Sequence, residues 1–415
     1  MSFKKKILVV DLEYKNKSRF IPFFLYLLKA FREENYDLSL FRLGNSLKGK
    51  KKSIKDLTIK DFSNYKNSNL LEILNNENPD LVLVLHMNNL DIRSLNRCCK
   101  YLNIPVMFLE HAITSNVELT NTKRHDSKRF LLKRFKRIIK DKLFNQYFNY
   151  IKYLFLTKAS IKTFFLFFIE SIFKLLNKDL PSEDWNYAAY CVFIDPDKRK
   201  LLLQHYNFID ENKIHVVGNY DLLEFGMSPE LFNSYVLNNI SKDILYIDSD
   251  CVYRTFNGNK ALYLKYIRNL NKIIEDNGFK LNIKLHPLSI EKLLDIELSK
   301  YNINIVEQNN FMNTLEKVKY VISEASSITT LPCLIGLPLL TPTLNPFNKK
   351  KYGTLINNYP NRLSFSSLKE LDFIFKNHNL KSFKNQIDFW IREYAGPLPS
   401  DNFPKRVLEI IKNII

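Results

Sequence analysis

Glycine is scarce in this chain, with nine residues out of 415. Neither GxGxxG nor GxxxxGK(S/T) occurs, so a bound phosphate would not be cradled by a glycine-rich loop. Cysteine is sparse and scattered as well. The five residues (Cys98, Cys99, Cys191, Cys251 and Cys333) form no CxxC and are odd in number. A disulfide framework and a zinc site are therefore not expected, and a reducing compartment fits. No stretch offers about 20 consecutive uncharged apolar residues, so no spanning helix is expected. The opening Met1-Ser-Phe-Lys-Lys-Lys runs straight into Ile7–Val10, a first strand rather than a signal peptide. Cytoplasmic residence is the expectation.

What is present is apolar and basic. Hydrophobic residues make up 46% and aromatics 13%, enough for sizeable cores, and 415 residues suit two domains of ordinary size. The formal charge is +19, but it is unevenly spread. Ten Lys/Arg against two acids between Lys123 and Lys142 account for +8 of it. So local a field points to one specific anionic partner.

Short Val/Ile/Leu-rich runs alternate with helix-period segments, the pattern of parallel sheets covered on both faces. Strands are predicted at 7–10, 81–85, 106–109, 191–194 and 214–217, with helices at 20–33 and 91–102. A second series follows residue 240: strands at 244–247, 281–285, 303–306, 320–322 and 337–340. Its helices are expected at 261–276, 289–299, 315–318 and 368–376, and two more at 385–394 and 403–415. The resulting fold class is α/β, two Rossmann-like domains facing across a cleft. The domains are 1–225 and 240–385, and the helices of 386–415 are expected to cross back to the N-terminal domain.

Residues 123–180 break the rhythm and are too long for a connecting loop. A basic run with interleaved Phe and Ile precedes an apolar stretch that carries Lys152, Lys158, Lys162 and Glu170. This basic and apolar helical insertion suits an anionic membrane surface better than nucleic acid, which is not expected as a partner. A buried helical pair flanked by solvated lysines is the plainer alternative.

In open α/β sheets the carboxyl ends of strands line the ligand crevice. In the second series, Leu281-Asn-Ile-Lys-Leu ends in His286-Pro287, aiming an imidazole into that crevice. About 35 residues on, Tyr320-Val-Ile-Ser323-Glu324-Ala-Ser326-Ser327-Ile-Thr329-Thr330 places hydroxyls at a strand-to-helix junction, where free N–H groups and the helix dipole favour an anion. Ordinary strand-end bonding and ordinary capping are the alternatives for each. In the first series, Asp11 and Glu13 follow one strand, His86 another, and Glu110-His111 a third.

The His-Pro followed by a hydroxyl pair resembles bacterial GT-B transferases that use CMP- or CDP-activated donors: sialyltransferases, polysialyltransferases and CDP-glycerol glycerophosphotransferases. The resemblance implies a nucleotide site of His286, Pro287, Ser323, Glu324, Ser326, Ser327 and Thr329. Gly218 joins them because Lys213-Ile-His-Val-Val-Gly218-Asn219 is similar to the end of a GT-B N-terminal domain. It implies a general base in the N-terminal domain, with His111 ranked first, then Asp11, Glu13 and Glu110; His86 is weaker. The tail Tyr394-Ala-Gly-Pro-Leu-Pro-Ser-Asp401 is similar to a C-terminal motif of surface-polysaccharide transferases. Asp248-Ser-Asp250 has the DxD spacing of a metal site, but at the first strand of a second domain it implies none. The expected activity is inverting, metal-independent transfer of a sugar from a nucleotide donor to a capsule, lipopolysaccharide or other surface glycan, or to a lipid-linked acceptor. No cofactor is expected. The place of action would be the inner face of the bacterial cytoplasmic membrane. Polyol-phosphate transfer from a CDP donor is the alternative, with a sugar-nucleotide 2-epimerase or a non-catalytic scaffold behind it.

Overall fold

The computed structural model describes residues 4–12, 21–44, 47–54, 56–66, 68–86, 90–110, 117–119, 142–175, 184, 186–193, 210–218, 242–249, 252, 255–286, 289, 298, 301, 303–324, 327–345, 347, 350–352, 354–377, 384–394, 396–397 and 402–415. The strands are β1 (Lys5–Asp11), β2 (Tyr36–Arg42), β3 (Lys52–Ile54), β4 (Leu57–Asp61), β5 (Leu81–Val84), β6 (Val106–Leu109), β7 (Val117–Leu119), β8 (Ala189–Val192) and β9 (Ile214–Val216). They continue as β10 (Asp243–Ile247), β11 (Lys280–Lys284), β12 (Asn304–Ile305), β13 (Val318–Ser323), β14 (Leu339–Pro342), β15 (Lys350–Tyr352) and β16 (Arg362–Phe365). The helices are α1 (Ile21–Glu33), α2 (Leu70–Glu77), α3 (Leu90–Tyr101), α4 (Lys142–Leu156), α5 (Ile161–Leu175) and α6 (Lys260–Asp276). Then come α7 (Phe311–Leu315), α8 (Thr330–Leu334), α9 (Thr354–Asn357), α10 (Leu368–Asn377), α11 (Lys384–Tyr394) and α12 (Phe403–Ile414).

An eight-stranded sheet runs β3-β4-β2-β1-β5-β6-β8-β9 and a six-stranded sheet β12-β11-β10-β13-β14-β16. Every pairing in them is parallel except β3 with β4. Side chains alternate across a strand, so each sheet feeds two cores. Ile7, Val9, Leu83 and Met107 pack under α1 and α12, whereas Leu8, Val10, Val82 and Val84 pack with residues of α2 and α3. In the second sheet Leu245, Ile247 and Val321 face α7, α8 and α11, while Tyr246, Ile283 and Ile322 face α6 and α10.

The two C-terminal helices part company. Trp390 of α11 lies in the core of the second sheet, and Phe403, Val407, Leu408 and Ile411 of α12 lie in that of the first. The crossing between them is fastened at Gly396, whose φ is +80° and where a Cβ would stand 2.4 Å from the Phe193 carbonyl oxygen. Arg406 ties it further, donating from Nε to Val217 O at 2.8 Å and from Nη2 to Pro397 O at 3.0 Å. A second link is antiparallel pairing of β7 with β15, joining the two halves of the chain.

Three sequence expectations shift. The helix read at 315–318 ends at Leu315, and Val318 opens β13, because Val318 is fully buried in the sheet. The strand read at 337–340 is Leu339–Pro342. The strand β2 was not anticipated: Tyr-Asp-Leu-Ser-Leu-Phe-Arg mixes polar with apolar residues, yet pairs with β1 along its full length. The insertion contains the helical hairpin α4–α5, and no helix among the described residues is long and apolar enough to cross a membrane. Its basic run up to Asp141 lies outside the described residues, as does most of the helix read at 289–299.

Candidate active site at the carboxyl ends of the second sheet

Three adjacent strands, β11, β10 and β13, end side by side. The β10 strand is central: Ile247 pairs with Lys284 on one side and Ser323 on the other. Asp248, immediately after it, is buried and anchors the neighbouring turn. Its Oδ2 accepts the His286 amide at 3.1 Å and the Ser289 hydroxyl at 2.6 Å. The backbone of His286 is thus clamped at the end of β11 while its side chain stays partly exposed. Asp248, read from sequence only as half of a DxD, is a fastening residue here; Asp250 lies outside the described residues.

Glu324 performs the matching task at the end of β13. Its Oε2 accepts from Thr255 Oγ1 at 2.8 Å and its Oε1 from the Ser249 amide at 3.3 Å, tying down the loop after β10. Ser323 and Thr329 are fully buried and bonded to each other at 2.9 Å, and Thr329 Oγ1 also donates to Glu324 O at 2.8 Å. Both hydroxyls are spent inside the turn. The turn itself is a 3₁₀ segment, Ser327–Thr329, leading into α8, which has only five residues. Pro332 sits within it, and a helix this short carries little of a full macrodipole. Pro287, Ser326 and the side chain of Ser327 lie outside the described residues.

In the first sheet, Asp11 is buried at the end of β1 and His86 follows β5 on the adjacent strand. His86 Nε2 stands 4.0 Å from Asp11 Oδ1. The Glu110 carboxylate is buried and accepts the Phe193 amide at 2.7 Å, bridging β6 to the end of β8. Gly218, with φ +97°, packs against Pro397 and the Arg406 guanidinium, each 3.1 Å from a built Cβ. That close approach accounts for glycine there without a ligand. His111 and Glu13 lie outside the described residues.

Sequence reading missed Lys284, Ser249, Thr255 and Ser289. Lys284 alone had a legible signal: two residues before His286 on one strand, it shares that face.

No protein-family model matches the chain, and no curated protein sequence matches it significantly. Solved structures do. A variant of the wall teichoic acid polymerase TagF superposes with a TM-score of 0.53 at 12% identity, covering 99% of this chain and 89% of that one. Another TagF structure gives 0.52 at 13% identity, covering 99% and 89%. The putative UDP-N-acetylglucosamine 2-epimerase of Listeria monocytogenes gives 0.50 at 15% identity, over 99% and 96%. The chain has the GT-B fold. At such identities the likeness carries the architecture and nothing finer.

Proposed function

We propose that this GT-B protein is a glycosyltransferase moving a sugar from a CMP- or CDP-type donor to a surface glycan or lipid-linked acceptor. The observation that supports this most is the clamped His286, held by Asp248 at the mouth of the second sheet, two strands from the Ser327–Thr329 turn. In this reading the acceptor hydroxyl attacks the anomeric carbon and the bond from that carbon to the phosphoryl oxygen breaks. The electron pair stays on the nucleotide, where His286, Ser326 and Ser327 meet the negative charge in a preorganised site. The proton passes to a base of the N-terminal domain: His111 first, then Asp11 with His86 beside it.

The α4–α5 hairpin supports a place at an anionic membrane surface. Phe148, Phe155, Ile161, Phe165, Leu166 and Phe168 are exposed, and Lys152, Lys158 and Lys162 stand among them.

Thermal shift against CMP, CDP, UDP and GDP tests the donor reading. At equal concentrations CMP or CDP is expected to stabilise the fold most, reaching about 2.7 kcal/mol where its concentration is a hundredfold above its Kd. His286→Ala is expected to keep the fold and lose roughly 100- to 1000-fold in turnover, the usual cost of removing one charge-stabilising donor. If none of the four nucleotides stabilises the protein, the reading is wrong.

A further inference from the structure

Beyond the Ser326-Ser327 pair, the turn at the end of β13 offers an anion little among the described residues. The α8 helix is five residues long, and the Ser323 and Thr329 hydroxyls bond internally. A buried cation stands on β11, one strand beyond β10. Lys284 is only 5% exposed, although charged residues are rarely buried unless paired. Among the described residues its ammonium makes one long hydrogen bond, to the carbonyl of Leu285 at 3.3 Å, and stands 5.9 Å from the centre of the Phe311 ring. An ammonium has three N–H donors, so this set leaves capacity for an acceptor. Burial lowers the affinity of Lys284 for its proton, and Asp248 opposes that shift. A bound anion would oppose it further.

A second buried donor lies alongside. Ser249 Oγ is buried without a hydrogen-bond partner among the described residues, at the end of the strand between Lys284 and Ser323. Strand alternation puts Lys284, Ile247 and Ser323 on one face of the sheet, with His286 two residues beyond Lys284 and Ser249 two beyond Ile247.

We infer that Lys284 is the cationic contact for the donor's phosphate group, its ammonium meeting a phosphoryl oxygen beside His286, with Ser249 Oγ as a second donor. The inference rests on the transferase reading and deepens it by naming the group that neutralises charge on the phosphate as the nucleotide leaves the anomeric carbon. The lysine contributes a hydrogen bond and a field; no proton need move. A buried charge held against its desolvation cost is what such a role requires.

Inorganic pyrophosphate is the probe, titrated calorimetrically beside the best-binding nucleotide and its parent nucleoside. Lys284→Gln is expected to weaken pyrophosphate and the nucleotide by roughly 10- to 100-fold, the worth of a charged hydrogen bond, and to leave the nucleoside unchanged. Ser249→Ala should cost about 5-fold. Asp248→Asn keeps an acceptor for the His286 amide while removing the competing charge, so it should tighten pyrophosphate several-fold. This variant carries the test if Lys284→Gln does not fold, and unchanged or weaker binding by it would then overturn the inference. Equal pyrophosphate binding by folded Lys284→Gln and wild type overturns the inference alone. Wild type binding neither pyrophosphate nor any nucleotide overturns it together with the transferase reading.

Discussion

At the scale of single residues, buried carboxylates do most of the fastening. Glu77 shows the energetics away from the site. It accepts from Lys6 at 2.6 Å and Lys60 at 2.8 Å, and from the Tyr65 hydroxyl. Burial alone would raise its pKa, but these donors outweigh burial and hold it at about 2. Because the folded value lies below the unfolded one, its contribution is present above about pH 4.5 and fades as pH falls toward 2. Glu77→Gln is therefore expected to lose about 2 kcal/mol at pH 7, allowing for the partly exposed lysines, or roughly 4–8 °C in Tm. The gap between variant and wild type should narrow in urea melts taken from pH 5 down to 2; a constant gap would refute the ion-pair account. Asp248 and Glu324 also fasten backbone at the site, where the positions they secure are those of a histidine and a loop.

At the scale of elements, the hairpin is two-sided. Its inner side is locked by Arg93 of α3, which pairs with Glu170 at 2.6 Å and Asp184 at 3.1 Å and stacks on Tyr150 at 4.6 Å. Glu170, an anomaly in an apolar run when read from sequence, is thus an internal partner. The outer side repeats Ile161, Phe165 and Phe168 at i, i+4 and i+7, one stripe of a helix. Phe155→Ser with Phe165→Ser should reduce binding to anionic vesicles by roughly 10- to 100-fold, given the transfer energy of two phenyl groups, and leave Tm nearly unchanged. Equal vesicle sedimentation of variant and wild type would remove the membrane role from this face.

At the scale of the whole molecule, the chain closes on itself. It begins in the first sheet, builds the second, and returns with α12 into the first core, while at the exposed face of that helix Lys412 meets Glu34 at 2.7 Å. The return passes through a point too tight for any side chain. Gly396→Ala would force a Cβ against the Phe193 carbonyl at a positive φ, and is expected to cost about 2–4 kcal/mol. Calorimetry showing an unaltered Tm would mean that the crossing is looser than its geometry.

The two α/β series and most of their strands were legible because buried parallel strands write themselves as continuous Val/Ile/Leu runs, as in Ile7–Val10 and Leu81–Val84, whereas the mixed sequence of β2 hid it. The same runs marked where strands end, which is why His286, Asp11 and Glu110 were found. What each of those groups does was not legible, since a strand-end polar residue looks alike whether it fastens a backbone or faces a ligand. Hydrogen bonds reaching across 38, 75 and 83 positions made that distinction, assigning Asp248, Glu324 and Glu110 to fastening. Sequence alone determined the α/β class and the two series of strands through local patterning. Only tertiary structure decided which buried charges are satisfied and which, like Lys284 among the described residues, keep donors to spare, because that depends on neighbours that local patterning does not encode.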